Sequence, residues 1–231
     1  MKIIAHRGAR GIQTENSLPA LKFAANLPID AIELDVRVSK DKKLVICHNE
    51  NLENVYGIDK NISELTLEEL QKIKSPSGKA ILTLEQVMGL DFGKPLVLDI
   101  KKQDTADLVY ETLKSIRAKN VWSVTSLFPA DLTRLKQLYP KLDTNLQTYK
   151  HPFKTVRNAK EIGASSVTLV LYLLNPLTYW WARRAGLRVW TYQNYASFLL
   201  TWPWLVRLLL FMYHSLAIVT DRPDKIAKLV K

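Results

Sequence analysis

The feature that most constrains this chain is an alternation, sustained from end to end, of short β-rich runs with helix-patterned runs. Strands are expected at 2–5, 31–38, 44–47, 95–100, 121–125, 142–146, 166–170, 187–192 and 216–219. Helices are expected between them at 17–26, 65–74, 105–119, 129–138, 152–162, 176–185 and 224–230. Pro19 falls early in the first of these, where a missing N–H costs nothing. Thr66 followed by Glu69 reads as a capping box opening the helix at 65–74. Strand–helix alternation points to a parallel sheet with helical crossovers. Eight units over 231 residues leave about 29 residues for each, which suits a slightly small (β/α)8 TIM barrel. No Gly-, Ser- or Pro-rich linker divides the chain, so one domain over 1–231 is expected. Residues 49–85 exceed an ordinary connection and are expected to form a small insertion after the second strand region, over the barrel's C-terminal face.

Glu33 and Asp35 stand two apart on an expected strand, so alternation turns both side chains to one face. In a barrel that face points inward, and near the strand's C-terminal end it opens onto the mouth where barrel enzymes work. Carboxylates held together there call for a cation, and oxygen ligands suit Mg2+ or Ca2+, with Mn2+ as a further option. Asp99 and Lys101 repeat the spacing on the 95–100 strand, offering a further ligand and a cation for a phosphate oxygen. His6 follows the first expected strand and His48 the 44–47 strand, both positions at which barrel enzymes place catalytic groups. Two histidines beside a metal-bound phosphate supply an acid and a base near neutral pH. Arg7 adds a planar fork of donors for phosphate oxygens. An isolated E-x-D pair or a lone strand-end histidine is usually structural; the coincidence of all these groups at strand ends favours a site. His151 and His214 have no comparable setting.

With these residues in place, the chain resembles the glycerophosphodiester phosphodiesterase family over nearly its whole length. His6-Arg7-Gly8, Glu15-Asn16-Ser17 and Ile32-Glu33-Leu34-Asp35-Val36 match its opening motifs in order. Asp41 with Val45 to His48 matches the stretch ending in its second histidine. The 65–70 and 82–85 runs match its inserted segment, and Val189-Trp190-Thr191 and Thr220-Asp221-Arg222-Pro223 its C-terminal signatures. The resemblance implies a (β/α)8 barrel that cleaves glycerophosphodiesters to sn-glycerol 3-phosphate and an alcohol with a divalent cation. It implies Glu33, Asp35 and Asp99 as metal ligands with Glu15 nearby, and His6 and His48 as the acid/base pair. Arg7 and Lys101 would bind phosphate, and Trp190 would line the substrate pocket. Three positions depart from the family's usual residues, one of them Asn54, which sits about where the inserted segment often has Arg. Asn49 stands where an Asp usually follows the second histidine, removing a carboxylate that orients His48, and Asp99 stands where the third ligand is usually Glu.

The formal net charge of +11 favours anionic partners, but no zinc-finger or RNA-binding signature is present and nucleic acid is not expected. A single cysteine, Cys47, excludes an internal disulfide and fits a reducing compartment. The first residues lack the apolar run of a signal peptide, so a cytoplasmic protein is expected. Residues 196–216 are unusually apolar and aromatic, interrupted by Pro203 and Arg207. They read either as a buried outer helix or as a segment that dips into an anionic membrane, peripherally, from the inner face. The second reading makes the substrate a lipid diester, in the manner of a lysophospholipase D. A non-catalytic lipid-binding barrel is the alternative from another class, and the intact set His6, Arg7, Glu33, Asp35 and His48 argues against it.

Overall fold

The computed structural model describes residues 1–193, 204, 208, 211–213 and 215–230. Most of the 196–216 segment therefore lies outside the described residues.

Eight parallel strands close into a barrel: β1 (Lys2–Ala5), β2 (Ala31–Val38), β5 (Leu96–Ile100), β6 (Val121–Ser126), β7 (Asp143–Thr148), β8 (Ser166–Leu169), β9 (Arg188–Gln193) and β10 (Leu216–Thr220). Closure comes from β1, which pairs with β10 on one edge and with β2 on the other. Two faces of the strands form two cores. Ile4, Ala31, Val97, Trp190, Ala217 and Val219 meet inside the barrel. The intervening residues, among them Ile3, Ile32, Leu34, Leu96, Leu98 and Ile218, pack outward against the helical ring. Strands buried on both faces explain why these runs are continuously apolar rather than alternating.

The ring is built from α1 (Leu18–Ala25), α4 (Leu84–Met88), α5 (Ala106–Ser115), α6 (Pro129–Leu138), α7 (Pro152–Glu161), α8 (Pro176–Arg184) and α9 (Pro223–Val230). Proline opens four of them, where its fixed φ suits the first helical residue. The helix expected at 105–119 is shorter, because Arg117 takes φ +50° and the Ala118 N–H turns back to Leu113 O. Its start is not capped by its own sequence. Buried Asp131 of α6 accepts from the N–H groups of Asp104, Thr105 and Ala106.

The run at 44–47 is a strand, β3 (Leu44–Ile46), but not a barrel strand. It folds back antiparallel on the upper part of β2, pairing Val38 with Leu44 and Val36 with Ile46. Ile32 pairs with β1 and β5, and Val36 with β3 and β5, so β3 continues the edge of β2 that β1 occupies lower down. Beyond it, α2 (Glu53–Tyr56), α3 (Leu67–Lys72) and β4 (Leu82–Thr83) enclose a core of their own, with Leu52, Ile62, Leu70 and Ile81 buried. Thr66 and Glu69 form the expected capping box of α3.

Candidate active site

Glu33 and Asp35 project into the barrel mouth from β2, and Asp99 stands beside Asp35 in register on β5. All three are fully buried, and one oxygen from each lies within 4.8 Å of the others. Ionised together, each pair at that separation repels by roughly 3 kcal/mol at an effective dielectric of about 20. Burial opposes ionisation of Asp35, yet Lys101 and Arg7 outweigh it and hold its pKa well below the usual carboxylate range. Burial, reinforced by the charges of Asp35 and Asp99, pushes Glu33 well above that range. Burial likewise raises Asp99 against the pull of Lys101. Lys101 Nζ lies between Asp35, at 2.9 Å, and Asp99, which it also contacts. Glu33 Oε1 has no hydrogen-bond partner. An orphaned buried carboxylate oxygen, an all-oxygen donor set and an ammonium already seated between two of its members fit a hard divalent cation.

His6 and Arg7 follow β1 directly. The His6 N–H continues the ladder to Thr220 O at 3.0 Å. Arg7 then takes φ +51°, a left-handed conformation that costs a side-chain-bearing residue of order 1 kcal/mol. The turn lets the Arg7 N–H reach Glu33 Oε2 at 2.8 Å. Gly8 completes it at φ +83°, where a Cβ would come within 2.8 Å of the Ala20 backbone, so only glycine fits. The Arg7 guanidinium lies 3.1 Å from Asp35 and donates through Nη1 to both oxygens of Glu15 at 2.9 Å. Glu15 thus spends its carboxylate on Arg7 and stands outside the triad. Asn16, also left-handed at φ +53°, donates to Asp35 Oδ2 at 2.7 Å.

His6 is buried, with Nδ1 2.6 Å from Asp221 Oδ1 and Nε2 4.0 Å from Glu33 Oε2. Burial lowers its pKa, opposed by the Asp221 hydrogen bond. Arg10 holds the same Asp221 carboxylate at 3.7 Å.

His48 reaches the site by a different route from the one expected. No barrel strand carries it; β3 descends along β2 toward the end of β1, and the Cys47 N–H bonds to Asp35 O at 3.0 Å. Arg37 Nε grips the His48 carbonyl at 2.7 Å. Asn49 does not leave His48 without an orienting group: its Oδ1 lies 2.6 Å from His48 Nδ1. The amide supplies the hydrogen bond without the charge. Burial lowers the His48 pKa to about 4, against the pull of Asp35.

Trp190 lies low in the barrel, packed on Trp122 at 5.1 Å between ring centroids. The aromatic at the mouth is Tyr192, two residues on along the same face, edge-on to His6 at 5.2 Å. Its hydroxyl accepts from Gln147 Nε2 at 3.2 Å, and the same nitrogen donates to Thr125 Oγ1 at 2.7 Å. Asn16 and Asp221 stand in the sequence only as motif members without a role, and no motif there takes in Tyr192 or Gln147. Period-two spacing from Trp190 was signal enough for Tyr192. Nothing local pairs Asp221 with His6.

The model of the glycerophosphoryl diester phosphodiesterase family matches residues 6–225. This chain belongs to that family. YhdW of Bacillus subtilis, a protein of the glycerophosphodiester phosphodiesterase type, is 29% identical over 211 residues, covering 84% of this chain and 87% of the relative. The human lysophospholipase D GDPD1 is 33% identical over 99 residues, covering 43% of this chain and 32% of its own length. An Oleispira antarctica phosphodiesterase, solved in complex with the product sn-glycerol-3-phosphate, superposes with a TM-score of 0.85 at 21% identity, covering 100% of this chain and 96% of that one. A glycerophosphodiester phosphodiesterase from Thermotoga maritima gives 0.77 at 24% identity, over 99% and 98%. At such identities the structures speak to the fold, which is the (β/α)8 barrel expected from the sequence. This family member is a phosphoric diester hydrolase of the glycerophosphodiester phosphodiesterase type. Among its described residues no helix is long and apolar enough to cross a membrane.

Proposed function

We propose that the enzyme hydrolyses glycerophosphodiesters to sn-glycerol 3-phosphate and an alcohol by acid/base catalysis, with a divalent cation held by Glu33, Asp35 and Asp99. The observation that carries this reading is the buried carboxylate triad with its orphaned Glu33 oxygen, set on the same rim as two anchored histidines. The product bound to the Oleispira antarctica phosphodiesterase supports the same chemistry. Held by Glu33, Asp35 and Asp99, a cation would supply positive charge to the phosphate and offset charge developing at phosphorus. Arg7, braced by Glu15, offers guanidinium donors to the phosphate. Lys101, whose ammonium lies on Asp35 and Asp99, would offer its charge to another phosphate oxygen. His6 and His48 each have Nδ1 engaged, by Asp221 and Asn49, which leaves Nε2 of each for the reaction. One Nε2 takes a proton from the attacking oxygen, either of water directly or of the neighbouring glycerol hydroxyl, which would give a cyclic phosphate that water then opens to sn-glycerol 3-phosphate. The other gives a proton to the departing alkoxide. Tyr192 walls the mouth beside His6, with Trp190 packed below it.

The test joins binding to product. Titration calorimetry of chelator-treated protein with Mg2+, Ca2+ and Mn2+ should give one site, lost in Glu33→Gln. Glycerophosphocholine should yield sn-glycerol 3-phosphate only when the cation is restored. Full turnover in EDTA would refute the reading.

A lysophospholipase D activity at a membrane surface is the second reading. It is favoured by exposed aromatic and aliphatic groups following β8 on the catalytic rim: Tyr172, Leu177 and Trp180 are 71%, 68% and 53% exposed, with Phe153 and Trp181 stacked beside them. Faster release of choline from lysophosphatidylcholine than from glycerophosphocholine, with vesicle binding, would establish it.

A further inference from the structure

A groove of about 370 Å³ leaves the barrel mouth between the ends of β6 and β7 and runs outward toward the start of α7. Its inner end is Gln147, a buried side chain that lies against the Asp99 carboxylate and beneath Tyr192. Leu127 and Tyr149 form its walls, and Lys150 and Lys154 stand at its outer end. Through Gln147 the groove thus abuts the acidic cluster, on the side of β5 away from β1 and His6.

The character of the groove changes along its length. The mouth carries carboxylates. The groove is lined by no acidic residue at all, and its outer end carries two lysines and His151. Lys150 and Lys154 enter no ion pair among the described residues. Their backbone is held firmly: the Lys150 N–H donates to Thr148 Oγ1 at 3.0 Å, and the Thr148 hydroxyl also contacts the Lys150 carbonyl. α7 begins here, and the side chain of its N-cap residue, His151, makes no capping hydrogen bond. The first-turn N–H groups add their positive end of the helix dipole to the lysine charges.

We infer that this groove receives the alcohol half of the diester and that Lys150 and Lys154 select alcohols carrying an anionic group, such as a phosphorylated polyol. The inference rests on the hydrolase reading above and names the leaving group it favours. With phosphate at the triad, a departing alcohol that extends past Gln147 enters the groove that Lys150 and Lys154 line, where a charged substituent meets the lysines. A cationic alcohol meets the same lysines and is disfavoured. An exposed ion pair contributes a factor of about 1.4 to 5, so two of them predict a preference of roughly 2- to 25-fold.

The clean comparison is glycerophosphoinositol against glycerophosphoinositol 4-phosphate, which differ by one phosphate on the same alcohol. The wild-type enzyme should show the higher kcat/KM for the phosphorylated substrate, by about twofold or more at low salt. The preference should shrink as salt rises. In Lys150→Glu/Lys154→Glu the ratio should fall to one or below. Circular dichroism and melting temperature would check that the double variant is folded, and Lys150→Gln/Lys154→Gln provides a milder version. A wild-type ratio near one, or a ratio unchanged in both double variants, overturns the groove assignment while leaving the hydrolase reading intact. Absence of turnover of every glycerophosphodiester, glycerophosphocholine included, overturns both.

Discussion

Asp221→Asn isolates one interaction at the site. The substitution keeps the shape of the side chain and removes its charge. In the structure Asp221 Oδ1 lies 2.6 Å from His6 Nδ1, with the imidazole buried and Asp221 itself largely so. A hydrogen bond to a charged partner contributes about 1.5–3 kcal/mol, and a neutral one about 0.5–1.5. The difference, about 1–1.5 kcal/mol, corresponds to roughly a tenfold loss in rate if it is expressed in the transition state. The direction of the pH effect follows from the causes acting on His6. Burial lowers its pKa and Asp221 raises it. Without the carboxylate, burial is less opposed and the pKa falls further. The limb of the pH–rate profile governed by His6 therefore moves to lower pH, whether His6 acts as acid or base. The assay is kcat and kcat/KM for glycerophosphocholine across the pH range at saturating cation. Turnover within twofold of wild type and a superimposable profile would refute the reasoning, and would mean that Asp221 only fills space between His6 and Arg10.

Three further outcomes are expected. His6→Ala and His48→Ala should each lower kcat by at least about 10²-fold with an unchanged circular dichroism spectrum, and near-normal turnover in either would remove that histidine from the acid/base pair. Asp131→Ala should strip the acceptor from the buried start of α5, costing about 2–3 kcal/mol and lowering the melting temperature by about 4–12 °C; a shift under 1 °C would show that the helix start finds other partners. Gly8→Ala must place a Cβ within 2.8 Å of Ala20 at a left-handed φ, so it should destabilise by about 2–4 kcal/mol and weaken activity through the neighbouring Arg7. An unchanged thermal unfolding curve would contradict that.

Much of the site was legible because barrel geometry converts sequence spacing into position. Two residues apart on a strand means one face, so Glu33 with Asp35 and Asp99 with Lys101 could be read as facing one mouth before any coordinates. His6 was legible for the same reason, standing just past a barrel strand. His48 was assigned a position by the same rule, yet it arrives differently: β3 is a hairpin arm lying on β2, and strand patterning does not say which edge a short strand will join. Asn49 looked like a lost orienting group because a carboxylate differs from an amide in charge; geometry restores the hydrogen bond and leaves only the charge missing. Trp190 and Tyr192 share a face, and only depth along the barrel axis separates the one packed on Trp122 from the one beside His6.

The sequence by itself determined the fold class and the chemistry available at the mouth, because hydrophobic periodicity and period-two spacing are local properties that survive without knowledge of the partner strand. Tertiary structure alone decided which distant groups complete the site. The Asp221 carboxylate meets His6 across 215 positions because β10 closes the barrel against β1. Gln147, which lines one groove with Lys150, stands against Asp99 because β5, β6 and β7 are neighbours in the sheet. Ring closure brings these residues together, and no pattern within a single strand encodes it.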